Sequence, residues 1–243
     1  IVSTPSDFGA MGSPPSHPVL LDWQATDCVE HGWALKHLHR RILTSATFQQ
    51  SSRPRPGALA KDAGSRLLWR FPPRRVEAEV IRDSILATSG KLNPRAGGVG
   101  FDFFRQQGGL SDYTPNPTFD ENGWRRMVYA RKIRMQAVDV FGAFDCPDAG
   151  QLKATRTRSI TPVQALGLMN SPFVNRQAAF FAERLRAAAP ADLNSQISQA
   201  IQLAYSRTAT RTELEHLTPF AKSHGLEQLC RALFNTSEFI YLP

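Results

Sequence analysis

TPVQALGLMNSPFVNRQAAFFAERLRAAAPADLNSQISQAIQLAYSRTATRTELEHLTPFAKSHGLEQLCRALF, residues 161–234, carries the architecture. Thr161-Pro162-Val163-Gln164 and Thr210-Arg211-Thr212-Glu213 both have the spacing of a capping box, in which a hydroxyl and an acidic or amide side chain reciprocally satisfy the free N–H groups of a helix start. Ser171-Pro172 reads as a cap followed by proline at the first helical position. Apolar residues then recur at Val163 and Leu166, at Val174, Ala178, Phe181 and Leu185, and at Leu193, Ile197, Ile201 and Ala204. They recur again at Leu214 and Leu217 and at Leu226, Leu229 and Leu233. That spacing predicts five helices, and short connections between them imply an antiparallel bundle.

Upstream, LLWRFPPRRVEAEVIRDSILATSG predicts an extended piece broken by Pro72 and Pro73, a helix over about 74–89 and a stop at Gly90. PSHPVLLDWQATDCVEHG predicts a helix over 18–30, capped by Ser16 or His17, with Pro18 in its first turn and Gly32 at its exit. ALKHLHRRILTSATF places a second helix close behind, so the two form a hairpin. Residues 49–65, rich in Ser, Pro and Gly, read as a loop. Residues 91–123 are rich in Gly, Pro, Asn and Asp and read as a long irregular insertion, the mobile surface of the protein. WRRMVYARKI reads as a short strand and MQAVDVFGAF as a short helix or turn. The fold class is mainly α: one multi-helix domain over 1–243, with a helical N-terminal part (1–90), the irregular insertion (91–123) and a C-terminal helical bundle (124–243).

With 243 residues, 42% of them apolar, the chain can bury a sizeable core. No stretch approaches the roughly 18 apolar residues needed to span a bilayer. The opening IVSTPSDFGAMGSPPSHP lacks the charged start and apolar run of a signal peptide, and it has no initiating Met. It therefore reads as a piece of a longer exported polypeptide whose signal lies upstream. Cys28, Cys146 and Cys230 form neither a CxxC pair, a haem-attachment motif nor a zinc framework. They read as three separate small apolar side chains, with one disulfide as the alternative.

Net charge is +8, and residues 31–134 hold 19 basic against 8 acidic side chains. Such a surplus suits an anionic partner, a polysaccharide or an acidic protein before nucleic acid, which rests on charge alone. Most of these basic residues are single Arg interleaved with apolar ones, which equally suits pairing and packing inside the fold.

The polar residues that need explaining centre on RRVEAEVIRD. On a helix, Arg75 and Glu79 are four apart, Glu79 and Arg82 three apart, and Glu79 and Asp83 share a face. A helix apolar on more than one side draws Glu79, Arg82 and Asp83 out of water, and buried charges need partners. Arg40, Arg126 and Arg156 are the candidate partners. The candidate polar cluster is His17, Glu79, Arg82, Asp83, Arg126, Asp145 and Arg156. The sharper reading makes Glu79 and Asp83 an acid/base or cation-binding pair; the plainer one, a structural ion network, is favoured. His37 and His39 fall on nearly opposite helix faces and cannot share a metal as helical ligands. Trp23, Trp33 and Trp69 read as core residues, and Asp102, Asp112, Asp120, Glu121 and Asn122 as a solvated loop. HExxH, GxSxG, P-loop and GxGxxG patterns are absent, and no cofactor or metal is read into this chain.

TPSDFG, PSHPVLLDW, HGWALKHLHRRILTSATFQQSS, LLWRFPPRRVEAEVIRDSILATSGKL, FDCPD, SITPVQALGLMNSPFV and LCRALFNTSEFIYL together resemble a bacterial domain family abundant in planctomycetes. In that family the domain closes multidomain secreted proteins, commonly after another uncharacterised domain and a c-type cytochrome domain. The resemblance implies a periplasmic or extracellular location, upstream domains of the same polypeptide as partners, and haem on a neighbouring domain. It carries no established activity. The leading functional reading is a non-catalytic binding or scaffolding module packing against those domains. The alternative is part of a polysaccharide-active or redox enzyme whose site is shared with the upstream domain.

Overall fold

A computed structural model describes the chain apart from Phe8, residues 107–112, Pro117, residues 134–138 and 148–154, Thr157 and Pro243. The protein is mainly helical, as its periodicity predicts. The chain divides into two compact units, residues 1–74 with 242–243, and residues 75–241.

The first unit holds helices α1 (Pro18–Glu30), α2 (Leu35–Leu43) and α3 (Pro56–Lys61). Pro18 occupies the first turn of α1, where its missing N–H is not needed. His17 stands at the cap position but contributes no side-chain cap. After α1 the chain turns through two consecutive left-handed residues, Gly32 (φ 64°) and Trp33 (φ 62°). Glycine adopts that conformation without strain, whereas a bulky residue there costs of order 1 kcal/mol. The turn reverses the chain into α2 and produces the expected hairpin.

The second unit contains α4 (Ala78–Ser89), α5 (Asp139–Gly142), α6 (Pro162–Asn170), α7 (Pro172–Ala188), α8 (Leu193–Tyr205), α9 (Arg211–His224), α10 (Leu226–Phe234) and α11 (Ser237–Ile240). Both capping boxes form. The Thr161 N–H donates to Gln164 Oε1 at 3.4 Å, and the Thr210 N–H donates to Glu213 Oε2 at 2.8 Å while Thr210 Oγ1 accepts from the Glu213 N–H at 3.2 Å. Ser171 caps α7 by accepting from the Val174 N–H. The core is built on α7, which packs against both α4 and α10. Ile81 and Ile85 of α4, Val174, Phe181 and Leu185 of α7, and Leu229, Leu233 and Phe234 of α10 are buried together, each contributing roughly 1.5–3 kcal/mol by leaving water. Gly90 ends α4 in the left-handed conformation (φ 79°), the role its place in the sequence predicts.

In the stretch 91–123, irregular as expected, residues 107–112 and 117 lie outside the described residues, and part of the rest departs from the reading as mobile surface. Phe101, Phe103 and Phe104 are buried in the core. Strand Phe101–Asp102 pairs in parallel with Ala130–Arg131, and Phe104–Gln106 pairs antiparallel with Tyr113–Pro115. Gly and Asn composition marks the turns, but the phenylalanines between them fix the segment by burial. WRRMVYARKI likewise holds a 3-10 turn, Met127–Tyr129, before its two-residue strand.

Candidate functional site

Arg82 projects from the buried face of α4 and is 0% exposed. Its Nη1 donates to the Arg125 carbonyl at 2.9 Å and its Nη2 to the Gly123 carbonyl. Phe101, Phe103, Phe119 and Phe173 surround the guanidinium with ring centroids 5.0–5.9 Å from it. Burial pushes the Arg82 pKa down to about 10, and Asp83, 3.9 Å away, partly offsets that. The charge is therefore held by two carbonyl dipoles, four ring faces and one neighbouring carboxylate. Arg125 is buried in the same manner and donates to the carbonyls of Arg95, Val99 and Gly97. Two charges of the basic surplus thus lie inside the fold.

Asp83 accepts from the Met127 N–H at 2.7 Å and from Arg126 Nε at 3.3 Å. Glu79 is not paired with Arg75, because Arg75 precedes the helix; Arg156 Nη1 reaches Glu79 Oε2 at 2.7 Å and Glu77 at 3.1 Å. Burial raises the Glu79 pKa, yet Arg156, a backbone N–H and Lys132 outweigh it and hold the carboxyl below its ordinary value. Asp145, left-handed at φ 58°, accepts from Arg75 Nη2 at 2.6 Å and from the Ser159 N–H at 2.7 Å. Gln164 locks Ser159 in turn. Around Asp145, burial is likewise outweighed by Ser159 and Arg75, so this carboxyl too lies below its ordinary value.

Of the seven candidate residues, the structure joins Glu79 to Arg156, and Arg82 and Arg126 to Asp83. Asp145 joins Arg75, a partner the sequence reading had assigned to Glu79. His17 lies in the first unit, its Nδ1 3.0 Å from Ser16 Oγ. The cavity lined by Arg75, Glu77, Asp145 and Arg156 is about 10 Å³, room for about one water. A larger groove, lined by Pro115, Phe119, Trp124, Phe173, Arg176 and Gln177 among others, has no carboxylate among the described residues of its wall. Asp102, Asp120 and Asn122 share an open surface depression with Arg105, and one side-chain oxygen of each is engaged, by Arg131, the Gly123 N–H and Arg125 respectively. Asp112 lies outside the described residues.

The first unit holds what the sequence reading missed. Asp27 (6% exposed) in the last turn of α1 meets His37 Nε2 at 2.9 Å, Arg41 Nη2 at 3.3 Å and His31 Nδ1 at 3.6 Å. Burial raises its pKa, but His37, Arg41 and His31 together bring it below the ordinary value. The signal was the four-residue spacing of Asp27 in α1 and His31 at its C-terminal cap, with His37 returned by the hairpin. Trp23 and Trp33 also differ from their reading as core: both are exposed. All three cysteines are free thiols, Cys230 buried and Cys28 and Cys146 partly so. Burial pushes the Cys230 thiol up, away from reactivity.

Fold and networks together define a mainly helical domain assembled around buried arginines. The chain belongs to the family described as PSD1, a protein of unknown function (DUF1553), whose model matches residues 1–221. No curated protein and no solved structure matches it.

Proposed function

We propose that the domain is a non-catalytic scaffolding module whose α1–α2 hairpin docks onto upstream domains of the same exported polypeptide. The observation that carries this reading is the apolar surface of the first unit. Among its described residues only Asp27 and Ser65 are buried, and no apolar side chain is. Val19 is 80% exposed and Trp33 71%, with Trp23 and Leu35 also exposed. Val19 and Trp23 are four residues apart on one face of α1. An apolar face of this kind marks an interaction site in a folded protein. The carboxylates of the second unit support the same reading, because each described member of the candidate cluster is tied to Arg side chains or backbone donors. An extracytoplasmic location, and haem carried by a neighbouring domain, belong to this proposal.

The double variant Val19→Ser/Trp33→Asn tests it, since asparagine tolerates the left-handed backbone at position 33. Titration of the purified upstream domains with this chain is expected to show affinity at least about tenfold weaker for the variant, as loss of an aromatic anchor gives, at unchanged Tm. Equal affinities for the two proteins would contradict the docking face.

A further inference from the structure

The geometry points to a binding site for one divalent transition-metal ion, of the zinc class, formed by Asp27, His31 and His37. One ligand atom from each residue lies within 4.8 Å of the other two, and this is the one such trio of His, Cys, Asp or Glu among the described residues. Two imidazoles and a carboxylate are a donor set suited to zinc and its neighbours, and three protein ligands leave a further position for water. Ligand atoms about 2.1 Å from a tetrahedral ion stand about 3.4 Å apart. His37 Nε2 and His31 Nδ1 already stand 2.9 and 3.6 Å from the two Asp27 oxygens. The imidazoles are stacked, with centroids 3.8 Å apart, so ligation requires one ring to turn. His31, its side chain 44% exposed, is the ring that turns, giving up the 2.8 Å contact of its Nδ1 with the Asp27 carbonyl.

Three further observations favour an ion there. The Asp27 carboxylate is 8% exposed while the His31 and His37 side chains are 44% and 28% exposed, so the trio sits at the surface, within reach of an ion from solvent. The strained turn at Gly32 and Trp33 places His37 back over α1, and strain of that kind accumulates where a ligand constellation is held. The unit that carries the trio buries no apolar side chain among its described residues, and small units without a sufficient core are commonly stapled by a metal. Arg41, whose Nη2 is 3.3 Å from Asp27 and whose Nε is 3.5 Å from His37 Nε2, holds the place of a cation there and must swing away as the ion enters, which its 51% exposed side chain allows.

The test uses the whole chain, stripped with chelator, and Zn²⁺ alone as the probe. Titration calorimetry is expected to give one equivalent bound, with affinity weakened at least about tenfold in His31→Ala and in His37→Ala, and unchanged in His39→Ala, whose side chain is outside the trio. Substitution with Co²⁺ keeps the assay independent of stability: it is expected to give an intense visible ligand-field spectrum in the unaltered protein that His31→Ala, a change at an exposed side chain, abolishes. Absence of stoichiometric Zn²⁺ binding, or binding that persists in both His31→Ala and His37→Ala, would overturn the site.

Discussion

Arg82→Ala is expected to lower the unfolding free energy by about 3–5 kcal/mol, the usual result of breaking a buried charged network. For a unit of this size that is a fall in Tm on the order of 10 °C. Two losses combine. The Arg125 and Gly123 carbonyls lose their donors inside the core, and each stranded acceptor costs about 1–3 kcal/mol. The space between Phe101, Phe103, Phe119 and Phe173 becomes a cavity. Arg82→Met, which keeps the volume but not the donors, is expected to recover the cavity part alone and fall between the two proteins. Urea unfolding of all three measures the order; a Tm for Arg82→Ala within a degree of the parent would remove the energetic basis of the network.

Asp145→Asn is expected to cost about 3 kcal/mol at neutral pH, because it removes the charge that neutralises the buried Arg75 guanidinium. Asparagine tolerates the left-handed backbone at this position, so the loss reports on the charge rather than on strain. Its pH dependence follows from the direction of the shift. The folded-state pKa of Asp145 is below the ordinary 3.8, so the folded protein holds this proton less tightly than the unfolded chain. The contribution is complete above that value and is lost as pH falls through the folded pKa. The stability gap between parent and variant should therefore be constant near neutrality and close in acid below about pH 4. A gap that persists unchanged in acid would assign the effect to shape instead of charge.

The parts of this fold that are local in sequence were legible there. Thr161 with Gln164, Thr210 with Glu213, and Gly90 after α4 each act within one helical turn, and their spacing alone defines them. The burial of α4 was legible as well, from apolar residues on more than one of its sides. Of the partners read for its charges, Arg126 does meet Asp83 and Arg156 does meet Glu79; those of Arg82 were not legible, because they are backbone carbonyls distant in sequence. Nothing in the residue types of Gly123 and Arg125 announces that their carbonyls accept from Arg82. The stretch 91–123 was read correctly as irregular, but its described phenylalanines were misread as surface for a related reason: glycine and asparagine describe the turns, while Phe101 and Phe103 are buried against residues distant in sequence such as Phe173. Trp23 and Trp33 were assigned to a core by their size, yet exposure depends on what else packs there. Asp27, His31 and His37 were overlooked because spacing was weighed only within one helix, and the turn at Gly32 and Trp33 makes neighbours of residues on two.

Amide hydrogen exchange on this chain alone and on the polypeptide carrying its upstream domains tests most directly the claim that the α1–α2 hairpin is the working surface. Amides of α1 and α2 are expected to exchange on the order of tenfold more slowly, or slower still, when the upstream domains are present, as burial of their exposed face requires. The buried amides of α7 should exchange alike in both. Equal exchange of α1 and α2 in the two proteins would contradict it.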